Sequence, residues 1–192
     1  MSRKLIFFSM LIMIISSMLL ITRGQSQKTT ADKPGLIKKG EYLVMIGGCN
    51  DCHSPKVFSE RGMEFDQKRL LSGHPAGSAI APIDMKMVGP GKWTLTNDHL
   101  TGWVGPWGMS FAANLTPDDQ TGIGLWTEDV FIKALRTGKH MGAGRPILPP
   151  MPWQNLVQAS DEDLQAIFAY LKSLPAVKNA VPAPIPPTEL GK

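Results

Sequence analysis

The chain has 192 residues, 43% of them apolar, enough for one domain of ordinary size with a sizeable core. Twenty basic residues stand against sixteen acidic ones, and Arg3, Lys4 and Arg23 lie within the first 26 residues, so the remainder is close to neutral and no nucleic-acid partner is implied. Two cysteines in the whole chain exclude a disulfide-rich scaffold.

The N-terminus, MSRKLIFFSMLIMIISSMLLITRGQSQ, places Arg3 and Lys4 before a stretch from Leu5 to Ile21 that is apolar apart from three serines. That is the layout of a secretory signal, with Thr22/Gly24 or Gly24/Ser26 as small residues for a cleavage site. The apolar run also reaches the lower limit for spanning a bilayer, so residues 1–26 read as a signal peptide or as an uncleaved membrane anchor. Either way the domain is exported to the periplasm.

From about Leu36 to Gly48 the positions Leu36, Gly40, Leu43 and Gly47 share one helical face. Two glycines there cost helix propensity, which close approach of another helix would offset. The predicted helix runs directly into GGCNDCHSP, which holds both cysteines, Cys49 and Cys52, with His53 behind them. A redox-active Cys-x-x-Cys of the thioredoxin type wants a βαβ setting, and the chain shows no such alternation. A structural zinc site wants a second ligand pair, whereas His74, His99 and His140 are isolated. A plain disulfide with His53 a bystander is the bland alternative. Cys-x-x-Cys-His is the signature of c-type haem attachment, in which the two thiols bond the porphyrin and the histidine ligates the iron.

An iron so held needs a sixth ligand or an open position. Methionine is a frequent partner of histidine in such centres, and beyond the leader the candidates are Met45, Met63, Met85, Met87, Met109, Met141 and Met151. Met151 sits in ILPPMPW between Pro150 and Pro152. Proline fixes φ and removes donors, so this loop is stiff and holds a thioether at little entropic cost. Met151 as core filler is the ordinary alternative; Met141 is the second choice, and His74, His99 or His140 would give a bis-histidine centre.

Residues 54–110 show turn signals and little periodicity, and read as a long irregular insertion over one side of the haem, with a short hairpin. A helix follows with Thr127 as its N-cap, Glu128 and Asp129 in its first turn and Gly138 after its end; Trp126 and Phe131 have staple spacing. SDEDLQAIFAYLKSLP opens on the Ser160–Asp163 capping pattern, carries Leu164, Ile167, Phe168 and Leu171 on one stripe and is stopped by Pro175. Residues 179–192 are Pro-rich and read as an extended, solvated tail. The fold class expected is mainly α, helices packed around one covalent haem, with the cytochrome domain covering 27–178.

The order helix, Cys-x-x-Cys-His, variable stretch, helix, Pro-Met-Pro loop, final helix resembles class I cytochrome c. FAANLTPDDQTGIGLWTEDVFIKALRTGKH, followed by LPPMPW and the last helix, is similar to the cytochrome domains of bacterial membrane-associated dehydrogenases. The resemblance implies haem c on Cys49 and Cys52, His53 and Met151 as axial ligands, Asn114 of NLTPD as a donor to a haem propionate, and Trp153 at the haem border. Arg136 and Arg145 are weaker propionate partners, with solvated positions as the alternative. Several relatives carry two or three haem motifs; this chain has one, which implies one haem and no internal relay. Two functions follow as expectations. The first is an electron carrier passing electrons from a dehydrogenase towards the respiratory chain, through a terminal oxidase or another cytochrome. The other is a peroxidase-like haem enzyme or gas sensor with an open sixth position, using His140 and Arg145.

Overall fold

Two helices far apart in sequence cross at the distance that glycine permits. The computed structural model describes residues 33–190, in which five α-helices occur: α1 (Lys33–Ile46), α2 (Cys49–His53), α3 (Glu128–Thr137), α4 (Trp153–Leu156) and α5 (Asp161–Ser173). The expected leader, residues 1–26, lies outside the described residues. Among those described, no helix is long and apolar enough to cross a membrane.

Helix α1 begins three residues earlier than its apolar face suggests, because Pro34 suits a first turn, where its missing N–H would be unpaired in any case. It packs against α5. A Cβ built on Gly40 would lie 1.9 Å from the Ala166 carbonyl oxygen and 2.8 Å from Tyr170 Cβ, so any side chain at Gly40 would force the two backbones apart. The glycine that costs α1 propensity therefore gives the crossing its closeness. An ion pair from Lys39 to Asp163, 2.6 Å long, lies at the α5 end of the contact.

The capping signals of α3 and α5 are realised as expected. Thr127 Oγ1 accepts from the Val130 N–H, and Gly138 ends α3 at φ 64°. Ser160 Oγ accepts from the Asp163 N–H, and α5 stops at Ser173, two residues before Pro175. Their apolar faces meet. Val44, Leu71, Ile123, Phe131, Leu135, Leu164, Ile167, Phe168 and Leu171 form one buried core, with the Phe131 and Phe168 rings 5.2 Å apart.

The 54–110 region is more regular than its sequence suggests. It holds an antiparallel hairpin, β1 (Lys56–Ser59) with β2 (Gly62–Phe65), and most of a three-stranded antiparallel sheet in the order β3 (Leu95–Thr96), β4 (Gly102–Gly105), β5 (Gly108–Phe111). Strand accompanies helix in this fold: the expected short hairpin is β1–β2, the three-stranded sheet goes beyond the expectation, and most of 66–94 is irregular. The four-residue strands β4 and β5 are covered on both faces, so they show no apolar–polar alternation to read. Val104 of β4 and Met109 of β5 build a second small core with Val88.

The C-terminal segment is extended and largely exposed, and it is tied to the domain at several points. Ile185 exchanges backbone hydrogen bonds with Met109 (2.8 and 2.9 Å) and packs, with Leu190, on the second core. Asn179 donates from Nδ2 to the carbonyls of Ser72 (2.6 Å) and His74 (2.9 Å) and accepts from the Ala76 N–H (2.8 Å). Proline-rich composition marks extended backbone, and here the few non-proline residues supply the pairing.

Two stability changes follow. Gly40→Ala should lower stability by about 1–3 kcal/mol, the usual cost of overpacking, read as a lower midpoint in thermal unfolding. Asn179→Ala leaves two carbonyls and one N–H without their partner and should cost about 1–3 kcal/mol, with hydrogen exchange rising first at Ala76.

Candidate functional site

The Cys-x-x-Cys-His segment does not continue α1. Gly48 adopts φ 65°, the left-handed conformation that ends a helix, and the five residues Cys49–His53 form their own short helix α2. The expected single helix running into Cys49 is thus broken by the Gly47–Gly48 pair. The break points α2 away from α1 and brings Cys49, Cys52 and His53 into one helical turn and a half.

His53 is 8% exposed and fixed at two points. Its carbonyl accepts from the Gly73 N–H at 2.7 Å, and its Nδ1 lies 2.8 Å from the Ala113 carbonyl oxygen. A carbonyl only accepts, so Nδ1 carries the hydrogen and Nε2 the lone pair. Burial pushes the imidazole below its ordinary range, the Ala113 carbonyl partly opposes this, and nearby Lys56 adds to the lowering. A neutral ring with a fixed Nδ1–H and a free Nε2 lone pair is the form in which histidine binds metal.

The carbonyl is itself positioned by glycine. A Cβ on Gly73 would lie 2.5 Å from the Ala112 oxygen and 2.7 Å from the Ala113 oxygen, and its φ of 81° disfavours other residues. Segment 112–115 therefore runs directly against 71–74, held by the Ala112 carbonyl accepting from His74 N–H (2.9 Å) and by Leu115 N–H to the Leu71 carbonyl (2.8 Å). Asn114 follows. Its Oδ1 accepts from the Thr116 N–H (2.9 Å) and hydroxyl (2.7 Å), and its Nδ2 donates to the Val177 carbonyl (2.8 Å) and Thr121 Oγ1 (3.2 Å). Both amide hydrogens are engaged within the chain. The amide thus forms a structural tie one residue from the carbonyl that orients His53.

Both cysteines are free thiols, and burial raises both above their ordinary range. No group of three or more His, Cys, Asp and Glu residues among the described residues is arranged to hold a metal ion, so the zinc reading gains no support.

Among the seven methionine candidates, Met151 alone packs on the main core, the same core that Cys49 borders. Met45, Met63, Met87 and Met141 are exposed, and Met85 and Met109 belong to the second core. The Met151 loop is held on several sides. Ser110 Oγ, buried in β5, donates to the Pro149 carbonyl at 2.6 Å, and the Ile147 N–H donates to the Gly138 carbonyl at 2.8 Å. The Trp153 ring lies against Gly138, where a Cβ would be 2.5 Å from it. Arg136 of α3 donates to the carbonyls of Val157 and Ala159 and pairs with Asp161 at 2.6 Å. Arg136 is neither a solvated residue nor free for a propionate, because it braces the segment that follows Met151.

The remaining histidines lie apart. His74 is buried, with Nδ1 2.9 Å from Thr101 Oγ1, its ring against Phe111, and Nε2 without a partner. His99 Nδ1 accepts from the Lys56 N–H at 3.1 Å. His140 is exposed, its ring edge-on to Trp126 at 5.2 Å and its backbone N–H donating to the Arg145 carbonyl at 2.9 Å, while the Arg145 guanidinium donates to the neighbouring Pro146 carbonyl at 3.3 Å.

The donor set fits a covalent haem: two free thiols on one short helix with a neutral imidazole whose Nε2 is available, and a methionine set against the same core. Sequence comparison reaches the same class. No protein-family model matches the chain. It is 32% identical over 135 residues to the gluconate 2-dehydrogenase cytochrome c subunit of Pantoea cypripedii, an alignment covering 70% of this chain and 22% of that protein. It is 38% identical over 161 residues to the fructose dehydrogenase cytochrome subunit of Gluconobacter japonicus, covering 84% of this chain and 25% of that one. With an alcohol dehydrogenase (quinone) cytochrome c subunit of Gluconobacter oxydans the identity is 27% over 150 residues, covering 78% and 23%. The chain spans about a quarter of the length of these curated relatives. Over most of its own length it is a relative of the cytochrome c subunits of bacterial dehydrogenases.

Proposed function

We propose that this chain is a monohaem c-type cytochrome with a cytochrome c-like fold, an electron carrier rather than an enzyme. Cys49 and Cys52 would hold its haem covalently, and His53 and Met151 would ligate the iron. It takes electrons from a dehydrogenase and delivers them to the respiratory chain, to a terminal oxidase or another cytochrome, in the periplasm. The segment 1–26 either directs export and is removed or anchors the domain to the membrane. The observation that carries the reading is the His53 geometry, an imidazole whose tautomer is set by Ala113 on the helix that bears both thiols.

When bound, the haem supplies a one-electron ferric/ferrous couple. The chain's task is to hold the His53 imidazole and the Met151 thioether in fixed places, so that little reorganisation would accompany electron transfer. On the histidine side Gly73 and Asn114 hold the Ala113 carbonyl against Nδ1. On the methionine side the prolines stiffen the loop from within, while Ser110, Trp153 and Arg136 hold it from outside. The insertion thus takes part in the site, since β5 carries the Ser110 hydroxyl that grips the methionine loop.

The reading is tested by maturing the full chain in a host competent for haem attachment. Mass spectrometry should find one covalently added haem, and the ferric spectrum should show the methionine–iron charge-transfer band. Met151→Ala should abolish that band, lower the reduction potential and permit rapid carbon monoxide binding to the ferrous protein. Colourless product overturns the haem assignment; rapid carbon monoxide binding by the unmutated ferrous protein overturns the carrier in favour of an open-site enzyme or sensor. Ser110→Ala should retain the haem and the band but speed cyanide binding to the ferric protein several-fold, because the loop opens more often.

A further inference from the structure

Lys56 is 3% exposed, an uncommon place for a lysine, and no ion pair among the described residues includes it. Its ammonium is satisfied instead by backbone. Nζ donates to the carbonyls of Asp51 and, at 2.7 Å, Ser54, and sits 5.2 Å from the centroid of the Phe65 ring. These two carbonyls bracket Cys52 and His53 in sequence and lie at the C-terminal end of α2, where the exposed C=O groups favour a cation. The backbone N–H of the same residue donates to His99 Nδ1 at 3.1 Å, and the residue opens β1, paired with Phe65 of β2. Main chain, stem and head group are therefore all fixed. Of the nearby carboxylates Asp51 acts on the charge; Asp51 and Glu64 line the same small cavity of about 180 Å³, and Glu64 is already paired with Arg61 at 3.2 Å.

An uncompensated buried ammonium is costly, and a chain that needed only a helix cap there could use a less expensive group. What the lysine adds is a full positive charge, held in a region shielded from solvent against the Asp51 and Ser54 carbonyls, the two that bracket Cys52 and His53 in sequence. We propose that Lys56 is the potential-setting residue of this cytochrome, a fixed cation that favours the reduced, less positive iron and so raises the reduction potential. The proposal rests on the haem assignment and deepens it by naming how this chain tunes the couple. A buried charge acts with less screening than a surface one, so the effect should persist at high ionic strength.

The test is a spectroelectrochemical titration of the intact, haem-loaded chain at low and high salt. Lys56→Met should lower the midpoint, so that at a potential poised at the wild-type midpoint the reduced-to-oxidised ratio falls several-fold at both salt concentrations, with the methionine–iron band intact. Lys56→Arg keeps the charge and should stay near the wild-type value. An unchanged midpoint in Lys56→Met, or equal falls in Lys56→Met and Lys56→Arg, overturns the proposal and leaves the haem assignment standing. Should Lys56→Met fail to retain haem, Lys56→Gln decides, since it keeps donors for the two carbonyls without the charge: a lower midpoint supports the role and an unchanged one overturns it. Wild-type protein that carries no covalent haem would overturn the underlying assignment before any variant is compared.

Discussion

The rest of the structure depends on the hydrogen bond between His53 Nδ1 and the Ala113 carbonyl. An imidazole has two nitrogens of equal standing until a partner chooses between them. By giving Nδ1 an obligate acceptor the fold makes Nε2 the electron-pair donor, and by burying the ring it keeps that pair unprotonated. The bond joins residues 60 positions apart, so it forms only after the chain has brought its second half against the first. Gly73 makes that approach possible, and Asn114 stops the carbonyl from drifting once it is there. Asn179 reaches back to the carbonyls of Ser72 and His74, so the end of the chain reinforces the same layer.

A second layer of organisation faces the methionine loop. α3 holds it at three points, through the Gly138 carbonyl, the flat contact of Trp153 on Gly138 and the Arg136 guanidinium. β5 adds a fourth through Ser110. These holds come from different parts of the chain. Internal prolines and external clamps together leave the loop that carries Met151 little freedom to move away from the core it packs against. The 54–110 region thereby acquires a structural reason: its first hairpin carries the buried Lys56 beside the attachment helix, and its last strand closes on the methionine loop.

Much of this was legible in the sequence, and what was legible shares a character. The Cys49–Cys52–His53 spacing, the capping residues Thr127 and Ser160, the stop at Gly138 and the stripe Leu164, Ile167, Phe168, Leu171 are local signals, each contained within a turn or two of chain. The two glycines on the first helix raised the right question, and Gly40 answered it. The strands β4 and β5 escaped notice because they are short, glycine-bearing and buried on both faces, which removes the alternation that identifies a strand. The tail's extended backbone was legible in its prolines, but proline content says nothing about whether Ile185 has a strand to join.

What the amino-acid sequence determined by itself is the chemistry on offer: two thiols and an imidazole at attachment spacing, a methionine set among prolines, and helices whose ends are written in their caps. What only the tertiary structure decided is the use made of the neighbours. Asn114 and Arg136 are spent on carbonyls, Ser110 holds the methionine loop, and Lys56 is buried beside the attachment helix. The reason is physical. Periodicity and capping act between residues a few positions apart, whereas a polar side chain's role is set by whichever donors and acceptors share its surroundings once water has been excluded, and those come from distant parts of the chain.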